Sequence, residues 1–189
     1  MASEAKSKMI AGAAQILARN GLDGTSFSEV LELTGAPRGS VYHHFPEGKD
    51  QLIALAVDLA GARALDAVAS WTGKSPVEVT EAFLALWRDV LTRSTLSSGC
   101  AVLAVTVATD SPELLEHAAN VFRSWRARLA QLLEAGGLSP AHAASFAATL
   151  VAASEGGVVL SRAEQSMEPF ELVSAQLIEQ ARRGQVAAG

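Results

Sequence analysis

Residues Thr25 to Leu52 read TSFSEVLELTGAPRGSVYHHFPEGKDQL. Ser26 is followed three residues later by Glu29, the capping-box spacing in which hydroxyl and carboxylate satisfy each other's backbone N–H groups at a helix start. Phe27, Val30 and Leu31 then share one helical face. That helix is short: it stops at Thr34-Gly35, and Pro37 is expected to restart a helix in its first turn, where a missing N–H is harmless. Val41 and Phe45 repeat at four-residue spacing and can pack on Phe27, Val30 and Leu31. Residues 26–45 therefore read as a helix-turn-helix. Its opposite face carries Arg38, Ser40, Tyr42, His43 and His44, donors suited to phosphate oxygens and base edges. Gly39 lets a partner backbone approach closely. Free N–H groups near Ser26 and near Gly48-Lys49, with the Lys49 charge, suit phosphate at helix N-termini. Each residue also has an ordinary reading, Arg38 as a solvated helix start, Tyr42 as half-buried core, the histidines as surface. Their combination with the capping box, the turn length and the long helix that follows favours the interface.

The same stretch resembles the DNA-binding region of the TetR/AcrR family of transcriptional regulators, with Tyr42-His43-His44-Phe45 after Gly39-Ser40 and Lys49 opening the next helix. Pro37 departs from the pattern, where that family more often has a serine cap. This proline, the Phe-Pro-Glu-Gly-Lys sequence at 45–49 and Gly99-Cys100 before an apolar helix resemble the LmrA/YxaF-like branch. The resemblance implies a three-helix DNA-binding domain over residues 1–48 and a larger helical domain over 49–189 for ligand binding and dimerisation. It implies a repressor that binds a pseudo-palindromic operator as a homodimer and is released by a small-molecule effector. The last two long helices would pair with their copies, setting two recognition helices about one DNA turn, roughly 34 Å, apart. The second half of the chain matches only in helix count and length.

Outward from this stretch, apolar residues recur at helical spacing. Ser7 to Asn20 places Ile10, Ala13, Ala14 and Leu17 on one face, and Gly21 stands where helices end. Lys49 to about Ser70 reads as one helix, with Leu52, Leu55, Ala56 and Leu59 inward. Ser-Pro pairs at 75–76, 111–112 and 139–140 each suit an N-cap followed by a proline in the first turn, and Glu78 completes a second capping box. Gly99 to Ala108 reads as an apolar helix with no evident cap. A final helix is expected from near Pro169 to Arg183, with Gly184 as its stop and a disordered tail beyond. No alternating strand pattern occurs, so the fold class is all-α with about nine helices.

The 189 residues carry a net charge of -5, which argues against a nonspecific polyanion binder. Even within residues 1–50, Lys6, Lys8, Arg19, Arg38 and Lys49 are matched by Glu4, Asp23, Glu29, Glu32, Glu47 and Asp50. Any basic character is local to a face. The single cysteine, Cys100, the absence of a signal-peptide pattern at the start and the lack of a run of about 18 uninterrupted apolar residues point to a cytoplasmic protein with no membrane span.

For ligand contact, Trp71, Phe83, Trp87, Cys100, His117, Phe122, Trp125 and Phe146 are the candidates, with Ser97, Ser98 and Thr106 as nearby polar groups. Core packing is the competing reading for each aromatic. No cluster of charges accompanies them, so a largely apolar ligand is expected. Ala143, Ala144, Ala147, Ala148, Ala152, Gly156 and Gly157 permit close helix approach, and Phe170, Leu172, Val173, Leu177 and Ile178 form an apolar face, suiting a dimer interface or the monomer's own core. Cys100 has no adjacent acid or base, and the histidines at 43, 44, 117 and 142 lack metal-ligand spacing, so no catalysis, cofactor or metal is expected. The competing function is a helical protein-interaction module that does not bind DNA.

Overall fold

The computed structural model describes residues 2–186, with side chains described over 4–39 and 41–184. Among the described residues there are nine α-helices, a single 3-10 turn and no strand, the all-α architecture expected. In chain order they are α1 (Ala2–Asn20), α2 (Phe27–Thr34), the turn Arg38–Ser40, α3 (Val41–His44), α4 (Lys49–Ala69), α5 (Pro76–Arg93), α6 (Ala101–Ala108), α7 (Pro112–Ala135), α8 (Pro140–Glu164) and α9 (Glu168–Val186). Two compact units result, one of residues up to Arg63 with Cys100–Phe122, the other of Ala64–Gly99 with residues from Arg123 onward. Two of the three divisions fall inside α4 and α7, and the third between Gly99 and Cys100.

The first unit is built around Met9, Ala13, Leu17, Val30, Val41, Phe45, Leu52, Ile53, Ala56 and Val57, all buried. Burying each larger side chain contributes about 1.5–3 kcal/mol relative to leaving it in water. On α4 the buried stripe is Leu52, Ile53, Ala56 and Val57, with Leu55 and Leu59 half-buried, a rotation of the expected face. Close helix approach is bought with glycine. A Cβ on Gly12 would stand 2.6 Å from Cγ2 of Thr34, and one on Gly61 would stand 2.7 Å from Cγ2 of Val121. Beside the second contact His117 Nδ1 lies 3.0 Å from Asp58 Oδ1, tying α7 to α4. The cap of α6, which no sequence signal announced, is Cys100, whose Sγ accepts the Leu103 N–H at 3.4 Å.

Pro37 does not open a helix. It is extended (φ -66°, ψ 132°) ahead of the 3-10 turn, because Gly35 ends α2 in a left-handed conformation (φ 66°) and the residues after it must redirect the chain. The expected recognition element is accordingly a 3-10 turn running into the four-residue α3, with the Val41 N–H donating to the Arg38 carbonyl.

In the second unit both capping expectations meet their partners, and Ser111 in the first accepts from the Leu114 N–H at 3.4 Å. Ser75 Oγ accepts from the Glu78 N–H at 3.3 Å while Glu78 accepts from the Ser75 N–H at 2.8 Å, which holds the Glu78 carboxyl below its ordinary range. Ser139 caps α8 by accepting from the His142 N–H at 3.4 Å. Ser26 and Glu29 repeat the reciprocal arrangement in the first unit. Arg88 on α5 donates to both carboxylate oxygens of Glu171 on α9, each at 2.7 Å, and its guanidinium lies 5.8 Å from the Phe170 ring centre. The shared hydrogen bonds raise the Arg88 pKa and lower that of Glu171.

Gly184 is not a stop: α9 continues through it to Val186, and residues 187–189 of the expected disordered tail lie outside the described residues. A Cβ at 184 would meet Cε1 of His142 at 2.6 Å, so this glycine lets α9 pass the start of α8. By length and composition α8 could cross a membrane, with mean hydropathy 1.5 over its richest window, but half of that window is buried inside the protein. The α5–α6 connection holds Thr95 (φ 51°) and Leu96 (φ 61°) in the left-handed region, at about 1–2 kcal/mol per non-glycine residue.

Candidate nucleic-acid interface

The candidate face rests on a floor made by α2, α3 and the Phe45 that follows it. Val30, Val41 and Phe45 are buried, and the Phe27 ring lies 6.1 Å from that of Phe45 and 6.4 Å from that of Tyr42. Tyr42 is nevertheless 78% exposed: one edge of its ring leans on Phe27 and the rest is free for a partner. Thr25 closes the unit below the corner, its buried hydroxyl donating to the Gly21 carbonyl at 2.8 Å.

Arg38, Gly39, Tyr42 and His43 are all exposed on consecutive turns. A Cβ at Gly39 would meet nothing within 4 Å, so packing within the chain does not require glycine there. His44 diverges from the others. It is half-buried, edge-on to Phe45 at 6.3 Å, and stacks obliquely against His43 at 5.3 Å, which makes it a support for His43. The side chain of Ser40 lies outside the described ones.

The two flanking anchors are more occupied than the sequence suggested. Ser26 spends its hydroxyl on Glu29, accepting from the Glu29 N–H at 3.2 Å and donating to Glu29 Oε2 at 3.0 Å. What it leaves to an incoming phosphate is the first-turn N–H groups of Phe27 and Ser28, which have no intrahelical acceptor. Lys49 Nζ donates to the Leu22 carbonyl at 3.2 Å, pinning the start of α4 to the α1–α2 loop. Two ammonium protons remain for an anion. The position of Lys6, whose ammonium sits 5.8 Å from the Phe45 ring centre, was not legible in the sequence; only a tertiary contact between α1 and the residue after α3 reveals it.

The domain model described as bacterial regulatory proteins of the tetR family matches residues 9–68, and that of the LmrA/YxaF-like C-terminal domain of transcriptional regulators matches residues 76–176. An HTH-type transcriptional regulator of Mycobacterium tuberculosis is 32% identical over 179 residues, spanning 91% of each chain. The chain belongs to the TetR family of transcriptional regulators. Among TetR-family relatives, LmrA of Bacillus subtilis is 26% identical over 91% of this chain and 94% of its own. A TetR transcriptional regulator from Chloroflexus aurantiacus superposes with a TM-score of 0.76 at 28% identity, covering 94% of each chain. The regulatory protein TetR from Rhodobacter sphaeroides shares the fold, with a TM-score of 0.80 at 22% identity over 93% of this chain and 97% of that one. The protein is thus a DNA-binding regulator, and its family is not one of enzymes.

The residues expected to contact a ligand fall in both units. Trp71, Phe83, Trp87, Trp125 and Phe146 are buried in the second. Cys100, His117 and Phe122 belong to the first, where Cys100 is buried and His117 is engaged by Asp58. The polar candidates have local uses: Ser97 Oγ donates to the Ser94 carbonyl at 2.7 Å and Thr106 Oγ1 to the Val102 carbonyl at 2.8 Å. An open cleft of about 460 Å³ between α1 and α2 is lined by Gln15, Ile16, Arg19, Asn20, Glu29, Glu32 and Leu33, none of them an expected ligand contact.

Proposed function

We propose that this TetR-family regulator is a cytoplasmic repressor that binds a pseudo-palindromic operator as a homodimer and is released by a small, largely apolar effector. Residues 1–48 would read DNA, and residues 49–189 would bind the effector and pair the subunits. The carrying observation is the face from Arg38 to His43. Its Arg38, Gly39, Tyr42 and His43 are exposed, no side chain packs where a Cβ at Gly39 would stand, and the face is set on a floor of buried Val41 and Phe45. Such a face suits insertion into a major groove, while a module that merely kept the corner as structure would have no use for a 78% exposed tyrosine.

Support for the homodimer comes from the outer face of α8 and α9. Ala152, Gly156, Val159, Leu160 and Ala163 are exposed along one line of α8, beside exposed Leu172 and Ala175 of α9. Small and apolar residues in this order fit a close helix pairing with a second copy. An added Cβ at Gly156 meets nothing within the chain.

The test is a mobility shift with DNA flanking the protein's own gene across a range of salt. Each phosphate contact contributes about 0.9 to the logarithmic salt slope, so the small charged face predicts fewer than ten contacts per dimer. Equal affinity for this DNA and for a scrambled duplex would reject the reading. Trp71, Trp87 and Trp125 report effector binding by fluorescence, and operator DNA must weaken that binding by the same factor by which the effector weakens DNA binding.

A further inference from the structure

We propose that the connection from Ser94 to Gly99 is a strained two-state switch latched by Arg162, and that it governs how well the protein holds its operator; this second clause rests on the regulator reading above. Three observations converge on the segment. Thr95 and Leu96 are consecutive non-glycine residues at positive φ, 51° and 61°. A single left-handed residue, most often glycine, suffices to end a helix, as Gly35 does for α2 at φ 66°. Two in succession, one of them β-branched, is a conformation that persists only where its surroundings impose it.

Those surroundings are visible. The Leu96 N–H donates to the Leu91 carbonyl at 2.8 Å and the Ser97 N–H to the Ser94 carbonyl at 3.1 Å. The Ser98 N–H donates to Ser94 Oγ at 3.1 Å. From α8, Arg162 Nη2 donates to the Ser97 carbonyl at 3.1 Å. Gly99 makes this possible: a Cβ there would stand 3.0 Å from Arg162 Nη1 and 3.5 Å from Cγ1 of Val158. The backbone therefore lies flat against α8, under the guanidinium. A charge-assisted bond of this kind is stronger than a neutral one, and it opposes the strain directly.

The position in the chain gives the strain a use. Gly99 is the last residue of its stretch of the second unit and Cys100 the first of the next stretch of the first, where it caps α6. The connection is thus where one unit hands the chain to the other. A latched strained state balanced against a relaxed one is the kind of bistable element that a modest binding energy can tip.

Hydrogen exchange on the full-length protein separates the two clauses. Asparagine tolerates the left-handed region better than threonine does, and Thr95 is exposed, so Thr95→Asn stabilises the latched state without disturbing a core. It is expected to slow amide exchange over residues 94–103 at least threefold, and Arg162→Met to speed it at least threefold. Unchanged exchange in Thr95→Asn would overturn the switch, and that variant decides the matter even if Arg162→Met fails to fold. Operator affinity is expected to move in opposite directions in the two variants, by at least threefold each. If exchange shifts while both keep wild-type operator affinity, the connection is a structural strut and the second clause falls. If the wild type binds no DNA, the regulator reading fails while the exchange result still decides the switch.

Discussion

The two units present different exposed surfaces. In the first, the exposed face is polar and narrow, Arg38, Gly39, Tyr42 and His43 standing on buried Val41 and Phe45. In the second, the aromatic residues are sealed inside and the outer face of α8 is small and apolar, with Val159 50% and Leu160 49% exposed. A polar face of this size can recognise groove edges but gives little affinity alone, whereas an apolar stripe gives affinity for another surface and no sequence discrimination. On the function proposed above, neither unit would be sufficient: selectivity would reside in one and avidity in the other.

The largest expected effect comes from separating the two. Leu160→Glu places a charge in the centre of the apolar stripe and is expected to yield monomers in sedimentation. Because paired half-sites gain about 10²–10⁴-fold over single ones, operator affinity should fall by that order while the melting temperature of the monomer stays near its starting value. A dimer that persists would remove the stripe as the interface.

A smaller effect probes the floor beneath the reading face. Gly12→Val brings a side chain into the space of Thr34 Cγ2, 2.6 Å from where its Cβ would stand, and overpacking of this kind costs about 1–3 kcal/mol. Chemical denaturation should show that loss, and operator affinity should fall with it if the α1–α2 packing holds the corner in shape.

The smallest effect belongs to the second unit. Glu171 has a folded-state pKa below its unfolded value through its hydrogen bonds to Arg88. The stability it contributes is present above the ordinary carboxylate range and is lost as pH falls through the depressed folded value. The pair is 39% and 46% exposed, so solvent screening limits it to about 1 kcal/mol. Arg88→Ala should therefore be less stable than wild type at neutral pH, with the gap narrowing to the loss of packing over Phe170 as the pH falls below the ordinary carboxylate range. A gap that widens on acidification would contradict the assignment.

Much of the fold was legible because its signals are local. Ser26 with Glu29, Ser75 with Glu78, the three Ser-Pro starts and Gly35 each act within a few residues of themselves, and the structure uses every one. What escaped the sequence depends on contacts distant in the chain. Gly184 looks like a helix stop until His142 is found beside it. Cys100 follows no capping preference, yet it fills a cap where a small side chain must also be buried. Pro37 at the start of a helix and Pro37 just before one share the same φ and differ only in ψ. Lys49 was legible as a charge at a helix start; its bond to Leu22 was not, because that partner lies 27 residues away. In the candidate face, Arg38, Tyr42 and His43 could be placed opposite Val41 and Phe45 from helical spacing, while the turning of His44 toward Phe45 required the rings themselves.

The central claim is that the exposed face from Arg38 to His43 reads sequence. Fluorescence anisotropy with the DNA flanking the protein's own gene and with a scrambled duplex, for wild type, Arg38→Ala and Tyr42→Ala, tests it most directly. Base-edge contacts carry about 1–3 kcal/mol of discrimination, so each variant should lose roughly 5- to 150-fold in preference for its own DNA while melting as the wild type does. Variants that retain the full preference would contradict the account.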